Sequence, residues 1–163
     1  MKIVKLQNKD VGKALDLVWN VFEEFVAPDY SEEGTATFKK FIEYDSIIQK
    51  LDTGEMQIWG CFINHDLVGV IATLKINHIS MLFTKKENQR QGIAKKLFQK
   101  VVDSCMLRDK NRIITVNSSP YAVEAYRHLG FKDTNTEQTV NGIRFTSMEY
   151  RTSEKQIRRS ISR

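Results

Sequence analysis

The chain has 163 residues, of which 41% are hydrophobic and 28% charged, the size and composition of one globular domain. It holds no apolar run of about eighteen residues that would span a bilayer, and the opening MKIVKLQNKD lacks the apolar stretch of a secretory signal, so a cytoplasmic protein with no membrane partner is expected. The net charge of +5 does not argue for nucleic acid: RTSEKQIRRSISR, residues 151–163, carries five basic residues against one acid, while residues 1–150 carry 20 basic against 19 acidic. Residues 1–150 therefore read as the domain and residues 151–163 as a basic, solvated C-terminal tail. Cys61 and Cys105 have neither metal-ligand spacing nor the density of a disulfide framework and read as buried thiols.

In chain order, KIVKL reads as a strand, and Asp10 follows as an N-cap. Val11, Ala14, Leu15, Val18, Phe22 and Phe25 then recur at helical spacing. APDYSEEGT breaks the pattern, and a second helix is predicted from about Thr35 to Thr53-Gly54. MQIWGCFI and LVGVIATLK form a hairpin across Asn64-His65-Asp66, and HISMLFT is a third strand. A helix follows from about Gly92, burying Ile93, Leu97, Val101, Val102 and Cys105. RIITVN is a strand, Ser119-Pro120 a helix start, and Gly130 a C-terminal left-handed residue. Residues 135–140 and 143–150 form a last hairpin across Asn141-Gly142, a type I′ signature. The order β-α-α-β-β-β-α-β-α-β-β is that of an α/β protein built on one mixed sheet.

The helix that starts in Gln89-Arg90-Gln91-Gly92-Ile93-Ala94 has no Ser, Thr or Asp to cap it. A helix N-terminus leaves N–H groups unpaired and carries partial positive charge, so an anion such as phosphate substitutes for the missing cap. Gly92 lets the backbone approach that anion closely, and Arg90, Lys95 and Lys96 add charge around it. The stretch is neither a Walker loop nor a dinucleotide-binding fingerprint, both of which need more glycines.

Gln89-x-x-Gly92-x-Ala94 after a strand resembles the Gln/Arg-x-x-Gly-x-Gly/Ala signature of the GNAT superfamily, the acyl-CoA-dependent N-acetyltransferases. NSSPYAVEAYRHLGF is similar to a second block of that family, with Asn117, Ala122, Tyr126, Gly130 and Phe131 in matching order and distance. The resemblance implies a single mixed, mostly antiparallel sheet flanked by helices. It also implies acetyl-CoA as co-substrate, no metal, and a small-molecule or peptide amine as acceptor. By it, backbone groups of Leu82, Phe83 and Thr84 bond the pantetheine arm like an added strand. The amides of Gln89, Arg90, Gln91, Gly92, Ile93 and Ala94 hold the pyrophosphate, Asn117 bonds the arm, and Tyr126 faces the sulfur as the catalytic acid. Lys86 stands where many members carry proline, which would loosen the loop.

Attack of a neutral amine on a thioester needs proximity, a donor for the developing oxyanion, and a partner for the departing thiolate. Backbone N–H on the Leu82 strand serves the second need and the Tyr126 hydroxyl the third. Outside the motif, Tyr126 would read as a helix residue covering the core. No base stands out: His78 starts the cofactor strand, and Glu23, Glu24, Asp29, Glu32 and Glu33 cluster where the family places its acceptor-binding helices. A non-catalytic acyl-CoA-binding regulatory module is the alternative reading, and exposed strand edges leave a homodimer open.

Overall fold

The computed structural model describes residues 1–108 and 113–152; most of the basic tail, residues 153–163, lies outside the described residues. Eight strands make one sheet in the order β1-β2-β3-β4-β5-β8-β6, with β7 paired to β8. The strands are β1 Lys2–Lys5, β2 Met56–Ile63, β3 Asp66–Leu74, β4 His78–Thr84, β5 Ile113–Ser118, β6 Lys132–Asp133, β7 Gln138–Val140 and β8 Ile143–Arg151. All neighbours are antiparallel except β4 and β5. The hairpin turns are those expected: Asn64 and His65 take φ of 50° and 68°, and Asn141 and Gly142 take 52° and 78°. β8 extends to Arg151, opposite Ile113, one residue past the expected domain boundary.

Helices cover both faces. α1 (Val11–Val21) buries Val11, Ala14, Leu17, Val18 and Val21 at helical spacing against β3 and β4. On this face they meet Met56, Ile58, Val70, Ala72 and Met81. α4 (Ile93–Arg108) and α5 (Val123–Leu129) lie on the opposite face, where Ile93, Leu97, Val101 and Cys105 pack with Ile71, Ile79, Ile114 and Met148. Cys61 and Cys105 are both buried, as expected, and Cys105 Sγ donates to the Ile76 carbonyl at 3.2 Å.

The single second helix predicted from Thr35 is two: α2 (Glu32–Phe41) and α3 (Tyr44–Asp52), broken where Glu43 turns extended at φ −55° and ψ 135°. It also starts earlier, because the Ser31 hydroxyl accepts from the Gly34 N–H at 3.2 Å and caps it. Asp10 stands at the N-cap of α1, but its carboxylate accepts from the Gln7 N–H behind it rather than from the helix. Between α1 and α2 the chain widens into a π turn, Phe22–Val26, and tightens into a 3-10 turn, Ala27–Asp29.

Candidate active site

The opening in the sheet comes from β4. Thr73 pairs with Ile79 and Ala72 with Met81, so Ser80 is an extra, bulged residue whose hydroxyl donates to the Ala72 carbonyl at 3.3 Å. A bulge bends its strand and strengthens the local twist. β4 and β5 accordingly pair at only two registers, His78 with Thr115 and Ile79 with Val116. Beyond them β4 stays bonded to β3, through Ile71–Leu82, Val70–Phe83 and Gly69–Thr84, and β5 to β8 through Ser118–Thr146. The β5-facing edge of Leu82, Phe83 and Thr84 is thus left without a strand. Leu82 packs toward the α4 face and Phe83 toward the α1 face.

At the open end the chain makes a 3-10 turn, Lys86–Asn88, and then the loop into α4. Arg90 is held left-handed at φ 63° and Gly92 at φ 80°. Such alternation turns successive N–H groups to one side and forms an anion-binding concavity. Among the described residues, the N–H groups of residues 90–95 donate to no protein acceptor, whereas Gln89 N–H is taken by the Lys86 carbonyl at 3.3 Å. A Cβ on Gly92 would meet no protein atom within 4 Å. Glycine is needed there for its backbone conformation, and the space in front of it is open. Helix α4 is brought down onto the sheet at Gly69, where a Cβ would come within 2.8 Å of the Ile93 side chain.

Side chains hold this loop in place. Gln89 Nε2 donates to the Thr84 carbonyl at 3.2 Å, and the Tyr121 hydroxyl donates to Gln89 Oε1 at 3.2 Å. Tyr121, in the turn Pro120–Ala122 after β5, also stacks on Phe25 of the π turn, with centroids 5.0 Å apart. Lys86, at the position of the family's proline, forms an ion pair with Glu24 at 2.8 Å. Both side chains are well exposed, so the pair adds little stability. Neither Phe25 nor Tyr121 was legible as a site residue; the sequence signal was an aromatic directly after Ser119-Pro120, in a turn whose start proline fixes through its own φ.

Asn117, next to last in β5, accepts through Oδ1 from the Ser147 hydroxyl at 3.0 Å. Tyr126, on α5, is 5% exposed and packs edge-on against Phe131 at 5.3 Å. Burial pushes its hydroxyl well above the ordinary tyrosine range. That hydroxyl has no hydrogen-bond partner among the described residues. His78 lies at the closed end of the seam, with Nδ1 2.8 Å from Thr115 Oγ1, about 13 to 20 Å along the strand from Leu82 to Thr84. Burial first, and Lys75 second, hold its pKa below the usual histidine value.

Two of the acids expected near the acceptor, Glu24 and Asp29, have cationic neighbours. Glu24 faces Lys86. Asp29 gives its carbonyl to Arg144 Nη1 at 3.2 Å, and the same guanidinium pairs with Glu137 at 3.2 Å. Tyr30 beside Asp29 is pushed up to about 12, by burial and then by that carboxylate, and stays a neutral hydroxyl. Among the described residues no His, Cys, Asp and Glu side chains gather as a metal site, and no helix is long and apolar enough to cross a membrane.

The fold recurs in solved structures of low sequence identity. A GCN5-related N-acetyltransferase from Rhodopseudomonas palustris superposes with a TM-score of 0.79 at 18% identity, over 93% of this chain and 95% of that one. The PaiA N-acetyltransferase from Thermoplasma acidophilum, solved in complex with coenzyme A, gives 0.76 at 17% identity, over 93% and 98%. An acetyltransferase of the GNAT family from Staphylococcus aureus Mu50 gives 0.73 at 14%, over 93% and 99%. A search of curated protein sequences finds no match. The profile of the acetyltransferase (GNAT) domain matches residues 26–152, from the π turn through the end of β8, and so spans the bulged strand, the uncapped loop and Tyr126 alike. The chain belongs to the GNAT acetyltransferase family.

Proposed function

We propose that the protein is an N-acetyltransferase that moves an acetyl group from acetyl-CoA to a primary amine by direct attack in a ternary complex. The observation that carries this reading is the seam itself: a strand edge with no strand paired to it at Leu82–Thr84 leads to a run of N–H groups at residues 90–95 without acceptors among the described residues. An extended arm ending in a pyrophosphate satisfies both, the first as an added strand and the second as an anionic cap. Gln89 contributes through its side chain, which fixes the loop, and Arg90, Gln91, Gly92, Ile93 and Ala94 through their amides. Asn117 has amide donors free to meet the arm from the β5 side.

Acetyl-CoA supplies the activated acyl group. A backbone N–H of the Leu82 edge stabilises the oxyanion as the amine nitrogen bonds to the carbonyl carbon. Tyr126 then donates a hydrogen bond to the sulfur as the carbon–sulfur bond breaks. With its pKa raised by burial, well above that of a thiol near 8.5, the phenol holds its proton and stabilises the thiolate by hydrogen bonding. His78 is too far down the seam to serve as base, and the amine loses its proton to water or to a residue on the acceptor side. That side is formed by the π turn Phe22–Val26, the start of α2 and the β7–β8 turn, and takes a small-molecule or peptide amine.

The test is a thiol-release assay with acetyl-CoA over a panel of polyamines, aminoglycosides, amino acids and peptides, with product mass checked. An acetylated amine confirms the enzyme. Tight coenzyme A binding with no product from any amine would support the alternative, a non-catalytic acyl-CoA-binding module.

A further inference from the structure

We infer that Tyr121 is a positioning residue for the anion-binding loop, acting through Gln89. The loop's main chain is bonded at its two ends, Gln89 N–H to the Lys86 carbonyl and Lys96 N–H to the Gly92 carbonyl, and not between them. Among the described residues the N–H groups of residues 90–95 find no acceptor, and Arg90 sits at φ 63°, a conformation that a side-chain-bearing residue keeps only under outside restraint. Side-chain bonds restrain both neighbours of Arg90: Gln91 Nε2 gives to the Glu87 carbonyl at 3.3 Å within the loop, while the Gln89 amide ties the loop to the rest of the fold through both its ends, Nε2 giving to the Thr84 carbonyl and Oε1 taking from the Tyr121 hydroxyl, each at 3.2 Å. One bond would leave the amide free to swing about it. Two bonds in different directions fix its plane, and with it the backbone immediately before Arg90.

Tyr121 is built for this task rather than for the core. It is 46% exposed, yet its ring is held in place by stacking on Phe25 at an interplanar angle of 22°. Pro120 begins the turn that carries it. The bond from Tyr121 to Gln89 also runs from the segment after β5 to the segment after β4. It therefore spans the open end of the seam where those strands have parted. Fixing the loop before the ligand arrives lowers the cost of ordering it on binding, and the gain falls on the anionic end of the ligand alone. This inference rests on the coenzyme A reading above and extends it to a residue outside the family motif.

The test compares coenzyme A with pantetheine, the same arm without the pyrophosphate and the phosphoadenosine beyond it, by calorimetric titration and ligand-observed NMR on the full chain. Tyr121→Phe keeps the ring on Phe25 and deletes only the hydroxyl. It should weaken coenzyme A about threefold to tenfold, the range for one hydrogen bond, with pantetheine affinity and the unfolding midpoint unchanged. Gln89→Leu should weaken coenzyme A at least as much, and adding Tyr121→Phe to it should change nothing further, because both act through one contact. Equal loss of coenzyme A and pantetheine would mean that Tyr121 touches the arm directly, and multiplying effects in the double variant would mean independent action. Either result overturns the inference, as does a Tyr121→Phe protein that binds like the parent. A parent that binds no coenzyme A overturns the functional reading itself along with it.

Discussion

Gly34 and Gly142 meet backbone to backbone. A Cβ on Gly34 would fall 2.1 Å from the Gly142 carbonyl oxygen, and one on Gly142 would fall 2.3 Å from the Gly34 nitrogen. The contact locks the first turn of α2 to the β7–β8 turn, and Thr37 Oγ1 adds a bond to the Asn141 carbonyl at 3.0 Å. Gly34→Ala must therefore push two backbones apart. We expect a loss of about 1–3 kcal/mol, the usual cost of overpacking, read as a lower urea midpoint. An unchanged midpoint would mean that the α2 turn moves aside freely.

Gly92 has the opposite surroundings, open space and a left-handed backbone at φ 80°. The Cβ of Gly92→Val would meet no protein atom within 4 Å, so folding should survive, while the backbone conformation that aims the loop N–H groups is lost. Coenzyme A should bind about tenfold or more weakly by calorimetry. A folded variant with parental affinity would remove this loop from the binding site.

Tyr126→Phe separates chemistry from packing. The ring keeps its edge-on contact with Phe131, and the hydroxyl removed has no partner among the described residues, so the unfolding midpoint should hold or rise slightly. With the thiolate donor gone, kcat should fall about 10²-fold while coenzyme A affinity changes much less. Turnover at the parental rate would return Tyr126 to the core.

His78 gives the fold a pH dependence. Its pKa is lowered on folding, so between about 6.5, the unfolded value, and the lower folded value the unfolded chain binds the proton first. Stability is then greatest above that window and falls as pH drops through it. His78→Asn should flatten the difference in urea midpoint between pH 7.5 and pH 5. A parental slope in the variant would assign the effect to other groups.

What could be read in the sequence was what short-range geometry dictates. Asn64-His65 and Asn141-Gly142 marked their turns because few residues accept a left-handed backbone, and Gly130 closes α5 for the same reason, at φ 107°. The break between α2 and α3 was hidden. No Gly or Pro marks Ile42-Glu43, and Phe38, Phe41, Ile42, Ile47 and Ile48 all face one core, so the apolar rhythm runs on through it. Ser119-Pro120 was read as an α-helix start, yet it opens a 3-10 turn without a side-chain cap, and α5 begins at Val123. Two-residue β6 was missed because it owes its existence to β8 alone. At the site, the uncapped loop announced itself by composition, but the bulge at Ser80 and the Phe25–Tyr121 stack join residues that no local pattern connects.

The two registers joining β4 to β5 make the sheet, in effect, two ladders hinged at one end. β1 to β4 close one and β5 to β8 the other, with a gap between them beyond the two shared registers. A molecule that bonds along that gap acts as a rung of the sheet itself, so the melting temperature should climb with the logarithm of its concentration. At a hundred times its Kd the gain is about 2.7 kcal/mol. Thermal shift against a library of thioesters thus ranks acyl donors without any need to know the amine.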